Sequence, residues 1–199
     1  LLGRQVVARR AAGDYDHRDL VSLAFLLLVA GHETTASMIS LGALAVMSHE
    51  GDGPRAADLR VAVTDPERGP RAVEELLRYF SIADIGTGRF ALAEASIGGT
   101  PVRAGEGVII SLLAANRDPA QFPDPDRLDP DRRPVPRHVA FGHGPHQCLG
   151  QSLARAELEI VYRTLFTELP RLRLAVPLDQ LPVKDDGFVY GLYELPVTW

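Results

Sequence analysis

The chain has 199 residues, 46% of them hydrophobic and 24% charged, with a formal net charge of −5 at neutral pH. That is ordinary for a soluble globular protein and enough for one domain with a substantial core, and the acidic balance speaks against a general nucleic-acid binder. A single cysteine, Cys148, excludes an internal disulfide and fits a reducing cytoplasm.

Residues 1–10 read as the end of a helix. They carry Arg4, Arg9 and Arg10 and lead into no cleavable apolar core, so no secretory signal is expected. Asp16 or Asp19 is placed to cap a long helix over residues 19–48. Residues 20–30 are apolar on nearly every face. A membrane span needs about 20 predominantly apolar residues, whereas Gly31-His32-Glu33-Thr34-Thr35 interrupts this run mid-segment, where charge is most costly. A buried helix through the middle of a globular core accounts for the run better, and no membrane is expected. Within the interruption Gly31 weakens helix propensity and removes a side chain. Thr34 has the option of bonding back to the carbonyl one turn earlier, and Glu33 adds an ionisable group to an apolar helix.

Residues 51–54 read as a loop, 55–64 as a shorter helix, and the breakers from Asp65-Pro66 to Pro70 as a turn. Residues 71–79 predict a helix with Glu75 and Arg78 at i, i+3 on one face, a spacing also common on exposed surfaces. From 81 to 111 the texture changes to short strands at 88–93, 95–102 and 107–111, separated by Gly-rich turns. A short helix at 112–116 leads into a Pro- and Asp-rich stretch, 116–136. Phe122 and Leu128 give that stretch something to bury, which favours an ordered meander over a linker. A helix over 149–169 follows, with Leu153, Ala156, Ile160, Leu165 and Phe166 on its inner side. Strands are expected at 172–176 and 191–199, with a hairpin between 181 and 190 turning at Asp185-Asp186-Gly187.

The stretch with the most chemistry is Phe141-Gly142-His143-Gly144-Pro145-His146-Gln147-Cys148-Leu149-Gly150. A thiol at the start of a helix meets unsatisfied amides and the positive end of the dipole, which favour an anionic sulfur. The glycines let the backbone approach something bulky and flat. A lone cysteine is equally at home as a buried structural residue. A nucleophile–base pair of Cys148 with His146 is a poor reading, because the two lie two residues apart with no evident orienting partner.

The loop Phe141-xx-Gly144-xxx-Cys148-x-Gly150, the helix motif Ala30-Gly31-His32-Glu33-Thr34-Thr35 and the pair Glu75-xx-Arg78 resemble the three signatures of the cytochrome P-450 superfamily, in the family's order. The stretch Ala115-Asn116-Arg117-Asp118-Pro119 and the tail ending at Trp199 look like soluble bacterial members of the actinomycete type. The resemblance implies a mainly α fold with small β-sheets. It covers only the C-terminal half of that fold, as one partial domain over 1–199: the long central I helix, the K helix, the meander, the Cys loop, the L helix and a C-terminal β-hairpin.

The same resemblance implies heme b, with Cys148 as the axial metal ligand. Gly31 and Ala30 would leave room beside the heme for dioxygen; Thr34 would hydrogen-bond the bound oxygen and Glu33 would feed the proton relay. Arg89 and His146, with His138 as a further candidate, would hold the propionates, while Phe141, Gly142 and Gly150 would pack around the sulfur. Glu75, Arg78 and Arg132 would form a structural network. Ala30, Thr34, Ile82, Ala83, Ile85, Phe188 and Val189 would face a small hydrophobic organic substrate. The implied activity is a monooxygenase fed by a ferredoxin and an NAD(P)H-dependent ferredoxin reductase, the former docking on Arg132, Arg133, Arg137, His143 and Arg155. The competing expectation is a truncated or non-catalytic heme-binding module without a complete substrate pocket.

Overall fold

The computed structural model describes residues 2–13, 16–48, 54–84, 87–132, 137–184 and 186–199. The expected turn residues 51–53, together with Ile85, Arg133 and Asp185, lie outside these. Helix α1 (Leu2–Ala11) precedes α2 (His17–Ser48), a continuous 32-residue helix, and the Asp16 carboxylate accepts from the Arg18 amide at 2.7 Å in its first turn. The polar turn at residues 31–35 does not break it. Helices α3 (Pro54–Thr64) and α4 (Gly69–Phe80) follow, α4 being entered through Pro70 in its first turn, where the missing amide costs nothing.

Strands β1 (Thr87–Phe90), β2 (Ala95–Ile97), β3 (Thr100–Val102) and β4 (Gly107–Ile110) come next. They lead to the short helix α5 (Leu112–Ala115), the meander and α6 (Gln151–Glu168), and β5 (Arg173–Leu174), β6 (Val183–Lys184), β7 (Gly191–Leu192) and β8 (Val197–Thr198) complete the chain. The strands pair only as two-stranded antiparallel ladders, β1 with β4, β2 with β3, β5 with β8 and β6 with β7. The β2–β3 turn is Gly98-Gly99 with φ of 56° and 84°, the two positive values that a tight hairpin turn demands. The expected 181–190 hairpin exists, with a wider connection than a three-residue turn: Val183 pairs with Leu192 and Lys184 with Gly191.

One core holds the helices together. Met38, Leu41 and Val46 of α2, Leu59, Ala62 and Val63 of α3, Ala72, Val73, Leu76 and Leu77 of α4, and Leu158, Tyr162 and Phe166 of α6 are all buried. Each large apolar side chain so placed contributes about 1.5–3 kcal/mol relative to exposure. The α6 stripe differs from the sequence expectation, because Leu153 and Ile160 are 64% and 54% exposed and Ala156 is exposed as well. The helix is phased by Tyr162, whose hydroxyl donates to the Met38 carbonyl, and this turns residues 158, 162, 165 and 166 inward.

Only the C-terminal part of α2 is buried, from Ser37 to Met47. Phe25, Leu26 and Leu28 are 67%, 61% and 67% exposed, contrary to the expectation that the apolar run would be covered. By length and composition alone α2 could cross a membrane, but its second half is part of the core just described.

Helix α4 ends at Ser81, which adopts φ 41° and ψ 50°, a left-handed conformation unusual for a residue with a side chain. The local bonding offsets that strain: the Ser81 amide donates to the Leu77 carbonyl at 3.1 Å and its hydroxyl to the Arg78 carbonyl at 2.8 Å. Asn116, fully buried at the start of the meander, donates to the same hydroxyl at 2.8 Å and accepts from the Val139 amide at 2.7 Å. It thereby clamps the meander to the end of α4 and to the strand of chain that enters the cysteine loop.

Candidate functional site

The cysteine loop is closed on itself before α6 begins. The Cys148 amide donates to the Phe141 carbonyl at 2.9 Å, and the Gln147 amide to the Gly144 carbonyl at 3.0 Å. Gly142 and Gly144 take φ of 74° and 87°, where a side chain would be strained, so glycine is required at both. Gly150 differs: its φ of −82° suits any residue, and its distinction is that a Cβ there would stand 4.0 Å from the Cys148 sulfur. The thiol is free and exposed, three residues ahead of the first turn of α6.

The sulfur lines a largely apolar cavity of about 260 Å³. Thr34, Thr35 and Met38 come from α2, Leu77 from α4, and Ile82 and Ala83 from the segment after it; Phe141, Gly142, His146 and Cys148 come from the loop. Leu112, Ala140, Ala154, Leu158 and Phe188 complete the wall. The site residues expected from sequence that share this space are therefore Thr34, Ile82, Ala83, Phe141, Gly142, His146, Cys148 and Phe188. Ala30, Gly31, Glu33, Arg89, His138, Gly150 and Val189 are not part of its lining, and Ile85 lies outside the described residues. Sequence reasoning missed Met38, Leu77, Ala154 and Leu158. The signal that could have found two pairs is helical period: Met38 follows Thr34, and Leu158 follows Ala154, by one turn.

On α2, the Thr34 hydroxyl donates to the Ala30 carbonyl at 2.6 Å, and the position a Gly31 Cβ would take is open space. Glu33 points elsewhere, into an ion pair with Lys184 of β6. The hydrogen bond and charge of Lys184 hold the Glu33 carboxyl below its ordinary value, and the same hydrogen bond raises the lysine.

Beside the cavity, α4 is bolted to the meander. Arg78 donates to both Glu75 oxygens at 2.8 Å, and its remaining donors reach the carbonyls of Asn116, Pro125 and Arg127 at 2.9, 2.8 and 3.2 Å. Arg132 donates to the same carboxylate at 3.1 and 3.2 Å and to the carbonyls of Pro123, Asp124 and Arg127. With Arg78 and Glu75 1% and 6% exposed, the pair is desolvated but fully hydrogen-bonded, the condition under which a buried charge is tolerated.

Comparison with known proteins decides what this geometry belongs to. Residues 70–196 match the family model described as Cytochrome P450. Along its whole length the chain is 51% identical to Cytochrome P450 105A3 of Streptomyces carbophilus and 49% identical to the vitamin D3 dihydroxylase of Streptomyces griseolus, covering 47% of each. The crystal structure of MoxA from Nonomuraea recticatena superposes on 99% of the chain with a TM-score of 0.90 at 56% identity, the match covering 47% of that structure. The chain belongs to the cytochrome P450 family. It spans about half the length of the relatives it matches.

The cofactor of cytochrome P450 proteins is heme b, and the residues present fit it. The cavity offers one sulfur donor on an otherwise apolar wall, and Gly142, with nothing within 4 Å of where its Cβ would be, presents bare backbone to it. Among the described residues no group of three His, Cys, Asp or Glu could hold a metal ion. Arg89 meets no carboxylate among the described residues; its guanidinium donates to the Gly88 carbonyl at 3.2 Å.

His138 is engaged on both ring nitrogens: its Nε2 lies 3.1 Å from the Glu74 carboxylate and its Nδ1 accepts from the Ala140 amide at 3.2 Å. Of the arginines expected at a docking face, Arg132 bonds Glu75, and Arg155 makes a two-pronged pair with Glu74 at 2.6 and 3.1 Å. Arg137 and His143 remain exposed near the loop; Arg133 lies outside the described residues.

Proposed function

We propose that the chain is the heme-binding portion of a cytochrome P450 monooxygenase that inserts one atom of O2 into a small hydrophobic organic substrate, by hydroxylation or epoxidation. The observation that carries this reading is the shared cavity, in which Cys148, Thr34 and Phe188 line one apolar space. Bound heme supplies the redox-active iron that activates O2, an anionic thiolate being the axial ligand suited to O–O cleavage.

Cys148 would hold the iron through its sulfur. His146 and Arg89 would offer donors to the propionates, and Phe141 would pack beside the sulfur once the group is bound. Gly31 lies on α2 outside the lining, one turn before Thr35, and a Cβ there would meet nothing within 4 Å, so bulk is absent beside the hydroxyl turn. Thr34 would pass a proton inward on leaving its bond to the Ala30 carbonyl, and Glu33, outside the lining and paired with Lys184 as a carboxylate, would take up and relay protons from the solvent side. Ile82, Ala83 and Phe188 set an apolar surface for substrate. Electrons come from a ferredoxin and its NAD(P)H-dependent reductase in the cytoplasm, the exposed Arg137 and His143 marking the face an acidic partner would meet.

The reduced, carbon-monoxide-treated protein tests the ligand. A thiolate-type Soret band is expected, and Cys148→Ser abolishes it; survival of the band in that variant sinks the assignment. A second reading, a heme-binding piece without turnover, is favoured by the exposed apolar flank of α2 at Phe25, Leu26 and Leu28. It predicts the same band with no oxidised product from any apolar substrate.

A further inference from the structure

Glu74 stands one residue before the acid of the Glu75-xx-Arg78 pair, and its carboxylate faces the cysteine loop instead of the meander. Oε1 accepts from Arg155 Nε at 2.6 Å, while Oε2 accepts from Arg155 Nη2 and from His138 Nε2, each at 3.1 Å. The Ala140 amide donates to His138 Nδ1, which fixes the tautomer whose remaining proton points at Glu74. Both partners then bear on a single ring. The Arg155 guanidinium sits 4.6 Å from the Phe141 ring centroid, and the His138 ring lies 6.3 Å from it at an interplanar angle of 40°. Phe141 in turn receives the Cys148 amide on its carbonyl at 2.9 Å. Arg155 also donates to the Gln151 side chain at 3.0 Å, holding the first turn of α6 that the loop enters.

From these contacts we infer that Glu74 is a positioning residue for the Cys148 sulfur, acting through Arg155 and His138 on Phe141. The inference rests on the reading of Cys148 as the axial ligand. Glu74 touches neither the sulfur nor the cavity wall. It ties α4, through Arg155 and His138, to the ring beside the ligand. The carboxylate is well suited to this: burial opposes its ionisation, and the hydrogen bonds from His138 and Arg155 outweigh that and bring it down to about 2. It stays an acceptor at every physiological pH.

The test uses the heme-loaded protein and its apo form, comparing wild type with Glu74→Gln, Glu74→Ala and Arg155→Met. Glu106→Gln, at the exposed Arg103–Glu106 pair, serves as control. Expected in Glu74→Ala and Arg155→Met are at least a roughly tenfold faster exchange of the Cys148 amide in the apo form and a roughly tenfold change in the heme reduction equilibrium. The double variant should add little to the larger single effect, since both changes break one chain of contacts. Arg155→Lys keeps the charge without the fork and is expected between wild type and Arg155→Met. The proposal is overturned if Glu74→Gln and Glu74→Ala lower thermal stability while amide exchange and reduction equilibrium stay at wild-type values, as a merely structural salt bridge would do. Should wild type bind heme without a thiolate band, the reading of Cys148 as ligand fails on its own, and amide exchange in the apo protein still decides whether Glu74 orders the loop.

Discussion

Gly42 of α2 packs against the hydroxyl of Tyr162 on α6 so closely that a Cβ at position 42 would overlap it. The same hydroxyl donates to the Met38 carbonyl, and burial pushes the phenol above its ordinary range, so it stays protonated and donating. This contact sets the distance between the helix that carries Thr34 and the helix that starts at the cysteine loop. Gly42→Ala should therefore destabilise the protein by about 1–3 kcal/mol despite the better helix propensity of alanine, because a packed core resists insertion. Denaturant unfolding of wild type and variant measures it. Tyr162→Phe in the Gly42→Ala background should not restore stability, because the ring carbons Cζ and Cε1 would still stand within 3.0 Å of the new Cβ, whereas Tyr162→Leu, which removes the ring, should recover part of the loss.

Glu75 and Arg78 present the opposite case, a pair whose loss leaves a charge stranded. Removing the carboxylate in Glu75→Ala leaves the Arg78 guanidinium 1% exposed with only carbonyl acceptors and releases Arg132 from its anchor. A cost of about 3–5 kcal/mol is expected. The meander should loosen first, so limited proteolysis between residues 116 and 132 should precede cleavage elsewhere.

What the sequence showed depended on whether a signal was local. Glu75, Arg78 and the cysteine loop are short motifs, and the structure joins or encloses them without needing distant information. Glu74 is invisible by the same standard. It differs from Glu75 by about 100° around the helix, and its partners lie 64 and 81 residues away. The α6 stripe failed in its first half for another reason, Leu165 and Phe166 lying inward as expected: Leu153, Ala156 and Ile160 make as good a helical face as Ala154, Leu158 and Tyr162, and Tyr162 bonds to α2. Helix α2 offered no phase at all, being apolar on every side, and the structure leaves its first half exposed in a chain about half as long as its relatives.

Lys184 is the second residue whose role sequence did not reveal, and it lends itself to a direct titration. With Lys184→Met, Glu33 loses the hydrogen bond and charge that hold its carboxyl below the ordinary range, so its titration should rise toward that of an unpaired glutamate. Isotope-edited infrared or NMR titration of the glutamate carboxyls reads this. An unmoved Glu33 would mean the pair does not persist in solution. Turnover at pH 7 then separates two roles, because a freed Glu33 that alters the solvent isotope effect is part of proton delivery, and one that does not is an anchor for the β6–β7 hairpin.

Glu74 also sets an acid limit. Its carboxyl is brought from 4.5 to about 2 in the folded chain, so the folded state binds fewer protons here than the unfolded one between those values. The sign follows: the contribution is complete above about pH 4.5 and is lost as pH falls toward 2. With the side chain 28% exposed, the amount is on the order of 2 kcal/mol after allowance for solvent screening. Glu74→Gln lacks this titration. Its stability relative to wild type should be lowest at neutral pH, should begin to recover below about pH 4.5 and should converge on the wild-type value only near pH 2, a pattern that urea unfolding across the acid range would show. A difference that stays constant from pH 7 to pH 3 would mean that Glu74 is not held ionised by Arg155 and His138.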